Sequence, residues 1–101
     1  PEEVALLNAK AERAKAVASI TVEVDGMVFD GDETAQDRMA RAITMFQASN
    51  LPDDYTTAWV LADNTVAQVT VNQLAQALLL AGQKQTELWT KPYEAVNAET
   101  E

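Results

Sequence analysis

Two turn dipeptides, Asp25-Gly26 and Asp63-Asn64, stand 38 residues apart in a chain of 101. Each sits between two short runs that read as strands. Each hairpin is followed by a run with helical spacing. Asp-Gly is the strongest short hairpin signal, because a type I′ turn needs two positive φ angles. Ile20 to Val24 alternates apolar and polar residues, as a half-buried strand does, and Met27 to Phe29 returns. Asp30-Gly31 breaks that strand, and Asp32 or Thr34 is placed to cap the helix that follows. Ala35, Met39, Ala42, Ile43 and Phe46 share one face of it. That helix should stop near Ser49-Asn50, because Pro52 forbids continuation.

The second half repeats the plan. Thr56 to Leu61 is rich in strand formers and contains Trp59, which is expected in the core; Val66 to Val69 returns. Thr70-Val71-Asn72-Gln73 has the form of a capping box. Val71, Leu74, Ala75, Leu78 and Leu79 predict the apolar face of a long helix. Gly82 interrupts the pattern at a cost of about 1 kcal/mol relative to alanine. The helix either ends there or runs on through Leu88 and Trp89, with Pro92 weakening further extension.

Ahead of both units, Glu2 to about Ala18 reads as a helix, with acids in its first turn and Lys10, Arg13 and Lys15 toward its end. Val4, Leu7, Ala11, Ala14 and Ala18 form a narrow stripe, suited to loose packing or to pairing with the same helix of another subunit. The expected fold class is α+β: an N-terminal helix (1–19), a tandem ββα domain (20–93, units 20–50 and 55–93) and a frayed tail (94–101). An antiparallel sheet with its apolar face covered by helices is the natural solution. Degenerate duplication and simple recurrence of a motif account for the two units equally well.

The stretch VEVDGMVFDGDETAQD, Val22 to Asp37, holds six acidic residues and no basic one. A calcium loop wants oxygen ligands at positions 1, 3 and 5, glycine at 6 and glutamate at 12. Counting from Asp30 puts Ala35 at 6 and Arg41 at 12; counting from Asp25 puts Met27 at 3. Both registers fail, which leaves turn and cap roles for these acids. Glu23 is the one acid placed to interest a two-carboxylate mechanism, and a solvated strand face is the better reading. Ser19 and Ser49 lack a nucleophile context, and the chain has no histidine and no cysteine. Imidazole bases, thiolates and the usual zinc ligands are therefore excluded. With three glycines and no glycine-rich loop, a phosphate cradle is not expected either. The reading is of a protein that is not an enzyme and needs no cofactor or metal.

The net charge of −9 argues against nucleic acid and against anionic membranes as partners. No segment approaches the ~20 apolar residues of a membrane helix. Trp89 and Tyr93 lie four residues apart, and core packing is the commoner use of such a pair. If exposed, Leu88, Trp89 and Tyr93 form a candidate interface. The start at Pro1 and the end in NAETE suggest a piece of a longer chain.

The segment TTAWVLADNTVAQVTVNQLAQALL, with Trp59 and Asp63-Asn64, resembles a phage-associated domain family of unknown function, DUF4376. DGMVFDGDETAQDRMARAI, with Asp25-Gly26 and Phe29-Asp30, is similar to the same family. The likeness covers roughly Lys10 to Trp89. These are fold residues, so no active-site role carries over. The resemblance implies a phage or prophage tail-associated protein: a structural or adaptor module of the tail fibre, partnered by other tail proteins or by itself. It places the protein in the bacterial host cytoplasm during assembly and in the virion tail. The alternatives are a tail-fibre assembly chaperone that binds transiently and, more weakly, a carbohydrate-binding module using Trp89 and Tyr93.

Overall fold

The computed structural model describes residues 11–100, with side chains described through residue 90. The fold is α+β. The described part of the first helix, α1, covers residues 11–18. Strands β1 (Thr21–Val24) and β2 (Met27–Asp30) form the first hairpin, followed by helix α2 (Glu33–Ala48). Strands β3 (Thr56–Val60) and β4 (Val66–Thr70) form the second, followed by helix α3 (Val71–Thr100).

The first turn is as the Asp-Gly pair dictates, with Asp25 at φ 51° and Gly26 at φ 80°. Val24 pairs with Met27 and Val22 with Phe29, which puts Val22, Val24 and Phe29 on the inner face. The second turn uses a different solution. Asn64 donates to the Leu61 carbonyl at 2.9 Å, Leu61 donates to the Thr65 carbonyl at 2.8 Å, and Asn64 takes φ 67°. A type I turn closed by one left-handed residue is the usual three-residue hairpin loop.

The caps follow from side-chain oxygens. Asp32, not Thr34, caps α2: its carboxylate accepts from the Ala35 N–H at 3.1 Å. At the other end Asn50 takes φ 50°, and Leu51 N–H reaches back to the Phe46 carbonyl at 3.4 Å. This closes the helix in the left-handed manner typical of C-termini. The capping box of α3 is complete: Gln73 N–H donates to Thr70 Oγ1 (3.2 Å), and Thr70 N–H donates to Gln73 Oε1 (2.9 Å). Gln73 Nε2 also donates to Asp25 Oδ2 at 3.1 Å, tying the first turn to the start of the last helix. Thr70→Ala is expected to cost about 1 kcal/mol, as lost N-caps do, readable by urea denaturation.

One core joins everything. Phe29, Met39, Val69 and Leu74 are its largest fully buried side chains, with Ala77, Ala81, Ile20 and Val17 around them. Trp59 is half-buried against it. The inward face of α2 is the expected one, with Met39 and Phe46 buried and Ala35, Ala42 and Ile43 half-buried. Phe46 also meets Tyr55 edge to face, with ring centroids 5.6 Å apart.

Four expectations change. First, the single sheet is two two-stranded sheets. The hairpins touch through one backbone bond, Ala62 N–H to the Val28 carbonyl at 2.9 Å. A cleft of about 240 Å³ beside it, lined by Asp30, Arg38, Ala58, Trp59 and Val60, takes the place of further pairing. Second, α1 turns Val17 inward, with Arg13 and Ala16 half-buried, and leaves Ala11, Ala14 and Ala18 exposed. Val17 removes more apolar area from water than any of those alanines can. Val4 and Leu7 lie outside the described residues.

Third, α3 buries Leu74, Ala77 and Ala81 and half-buries Val71, Leu78, Leu80 and Leu88, while Ala75 and Leu79 face solvent. The helix is apolar over a wider arc than the core covers, so an alternative face could be drawn from sequence. Fourth, α3 takes the longer of its two expected extents and passes Pro92 as well. Glycine weakens a helix by only about 1 kcal/mol, and packing on both sides of Gly82 outweighs that. Pro92 removes one backbone bond late in the helix, and the helix continues across 94–100, where a tail was expected.

Candidate functional site

The acidic stretch resolves into scaffolding. Asp25 makes a turn and accepts from Gln73, Asp32 caps α2, and Asp30 pairs with Thr21 at the hairpin end. Glu23 stands exposed on β1. Among the described residues no three acidic, histidine or cysteine side chains cluster to hold a metal ion.

One carboxylate has a displaced proton affinity. Asp63 accepts from the Thr65 hydroxyl (2.6 Å) and from the Thr65 backbone N–H (3.0 Å). These bonds, the hydroxyl first, hold its pKa below the ordinary 3.8. Hydrogen bonds to the charged form favour that form. Any stabilisation from this turn is therefore present above the ordinary carboxylate pKa and lost as pH falls through the lower folded value. An NMR titration should find the Asp63 midpoint below that of free aspartate, and Thr65→Val should move it upward. Asp63 is fully exposed, and the arrangement is that of a turn rather than a catalytic acid.

The candidate interface at Leu88, Trp89 and Tyr93 divides. Leu88 is half-buried against the core, in helical step with Ala77 and Ala81. Trp89 lies one residue on, about 100° further round the helix, and is 49% exposed. The Tyr93 side chain lies outside the described residues. The Arg13 guanidinium stands over the Trp89 ring, 4.6 Å from its centroid. Cations over indole rings are held by the ring quadrupole, so this contact fastens α1 to α3. A groove of about 330 Å³ runs beside it, lined by Arg13, Val17, Asp32, Glu33, Thr34 and Trp89.

A polar network joins the other helices. Gln36 Nε2 donates to the Gly31 carbonyl (2.9 Å) and to Gln85 Oε1 (2.6 Å). Gln85 Nε2 donates to Glu33 at 3.1 Å. Neither this network nor the Arg13–Trp89 stack is visible in local sequence, because the partners are far apart along the chain.

A family model described as "Domain of unknown function (DUF4376)" matches residues 2–98. The chain belongs to the DUF4376 family. No curated protein and no solved structure matches it at a significant level. In this DUF4376 chain the residues that carried the resemblance are turn and core positions. Asp25-Gly26 is the first turn, Phe29 is fully buried, Trp59 packs on the core, and Asp63-Asn64 shapes the second turn. The surface offers something else: Val60, Val66 and Leu79 are 57%, 65% and 60% exposed. They belong to a run from Tyr55 to Gln83 in which Asp63 is the only charged residue. That charge-poor run is the sequence signal by which this surface can be found. No described helix is long and apolar enough to cross a membrane.

Proposed function

We propose that this DUF4376 chain is a non-enzymatic structural or adaptor domain of a phage or prophage tail, a tail-fibre module that works by contact with other proteins. The observation that carries this is the exposure of Val60 and Val66, paired across the second hairpin, and of Leu79 on α3, all within the charge-poor run Tyr55 to Gln83. Large apolar side chains left outside the core suit a protein partner. Within Val22 to Asp37, Asp25 serves a turn and Asp32 a helix cap, and a net charge of −9 disfavours nucleic acid. The tail assignment rests on the resemblance drawn from Asp25-Gly26, Phe29-Asp30, Trp59 and Asp63-Asn64. Arg13 covers one face of Trp89, which weighs against a sugar-stacking role. Mass spectrometry of purified particles tests the proposal. The full-length protein should be found in stoichiometric amount with tail components. Presence in the infected cell but absence from particles would instead favour the assembly chaperone.

A further inference from the structure

The outer side of α3 carries a stripe that the fold does not explain. Asn72, Ala75, Leu79, Gly82, Thr86 and Trp89 recur at spacings of three and four, so they lie along one seam of the helix. All are exposed except Gly82, which is half-exposed. None is charged. Gly82 is the anomaly. A Cβ built there would meet nothing within 4 Å among the described residues, so none of them requires glycine there, and no left-handed backbone requires it. A mid-helix glycine is a penalty without a return inside the monomer. Glycine at a helix surface lets a second helix approach closely.

We propose that α3 packs antiparallel against α3 of a second copy of this chain, about a two-fold axis between Leu79 and Gly82. The stripe is self-complementary in that direction alone. Leu79 of one copy falls on Gly82 of the other, Ala75 falls on Thr86, and Asn72 falls on Trp89. Each bulky side chain meets a smaller one, and every contact occurs twice, as a two-fold interface demands. A shallow groove beside the stripe, lined by Leu78, Leu79, Gly82, Gln83 and Thr86 and edged by Glu87, gives the incoming leucine a seat. Thr86 costs little to bury there, since its hydroxyl already donates to the Gly82 carbonyl at 2.9 Å.

Charge bears on which face of the chain a second copy can approach. Two copies at −9 each repel, and they approach best along a seam whose own residues carry no charge. Along α3 no charge precedes Lys84, and Lys84 and Glu87 follow. The antiparallel arrangement sets that charged half against the uncharged half of the partner. A two-helix seam is small among specific interfaces, so dissociation on the order of micromolar is expected. The inference is independent of the tail reading.

Sedimentation equilibrium of the whole chain, over a range of concentrations, tests it. A monomer–dimer equilibrium is expected. Leu79→Glu should weaken it at least about a hundredfold, because it sets two new like charges across the axis. Gly82→Ala should weaken it by roughly tenfold by filling the gap. The same Gly82→Ala change, melted at a concentration where the protein is monomeric, should raise the midpoint or leave it unchanged, since the space is open and alanine favours helix. A wild type that stays monomeric, or a dimer indifferent to both changes, overturns the proposal. Circular dichroism confirms that Leu79→Glu remains folded; Gly82→Ala decides the matter if it does not.

Discussion

Phe29→Ala is expected to lower the unfolding free energy by about 3–5 kcal/mol, the range for a buried phenylalanine reduced to alanine. A domain of this size has on the order of 5–15 kcal/mol in total, so a large share of the molecules would lose the native state under mild denaturation. Phe29 is fully buried. It lies opposite Val22 in the first hairpin and in one cluster with Met39, Val69 and Leu74, contributed by α2, β4 and α3. The cavity would open in a cluster shared by β1, α2, β4 and α3, and rigid secondary structure cannot close around it. Urea denaturation should show a lower midpoint with an unchanged slope. The neighbouring Val28→Ala, at an exposed position, should stay within about 0.5 kcal/mol of wild type. Equal losses from the two changes would mean that Phe29 is not the centre of the core.

Gly31→Ala is the second large effect, and it arises from overfilling. A Cβ at Gly31 would lie 2.7 Å from Ile20 Cγ2 and 3.0 Å from Ala81 Cβ. Ile20 is itself buried, and the Ala81 Cβ is fixed to the α3 backbone, so neither neighbour can yield without moving its element. Gly31 is also held from both sides: its N–H donates to the Ile20 carbonyl at 2.8 Å, and its carbonyl accepts from Gln36. Overpacking of this kind costs about 1–3 kcal/mol. At roughly 4–8 °C per kcal/mol for a chain of this length, the melting midpoint should fall by several degrees or more. Gly31→Val should be worse. The contrast with Gly82 is sharp, since the same substitution meets open space there. A neutral Gly31→Ala would show that α3 does not sit as close to the first hairpin as described.

The parts of this fold that were legible in the sequence are those set by residues near one another. The Asp25-Gly26 turn, the Asp32 cap, the Thr70–Gln73 box and the stop after Ser49 are each decided within a few positions by backbone and side-chain hydrogen bonding. The parts that were not legible depend on a choice among faces. Leu74, Leu78 and Leu79 permit more than one inward direction for α3, and only the position of the first hairpin selects Ala77 and Ala81. That choice also turns Leu88 inward and Trp89 outward, splitting a candidate interface that adjacency in sequence had joined. Gly82 left the end of α3 open between two positions and Pro92 weakened the longer one, yet local propensity is small against the packing of a long helix. Arg13 over Trp89 and Gln36 with Gln85 join residues dozens of positions apart, so no window of sequence contains them.

The fit between Gly31 and Ala81 bears on how the chain acquires its structure during synthesis. Fifty residues separate the two positions (81 − 31). At about 5–20 residues per second, the ribosome delivers Ala81 roughly 2.5–10 seconds after Gly31. Hairpins and helices form in microseconds, so the first hairpin and α2 have ample time to appear and dissolve before the helix that closes them exists. For those seconds the inner face of the hairpin, Val22, Val24 and Phe29, has no lid from α3. The nascent first unit therefore presents an apolar face for those seconds, and α3 is the helix that covers it.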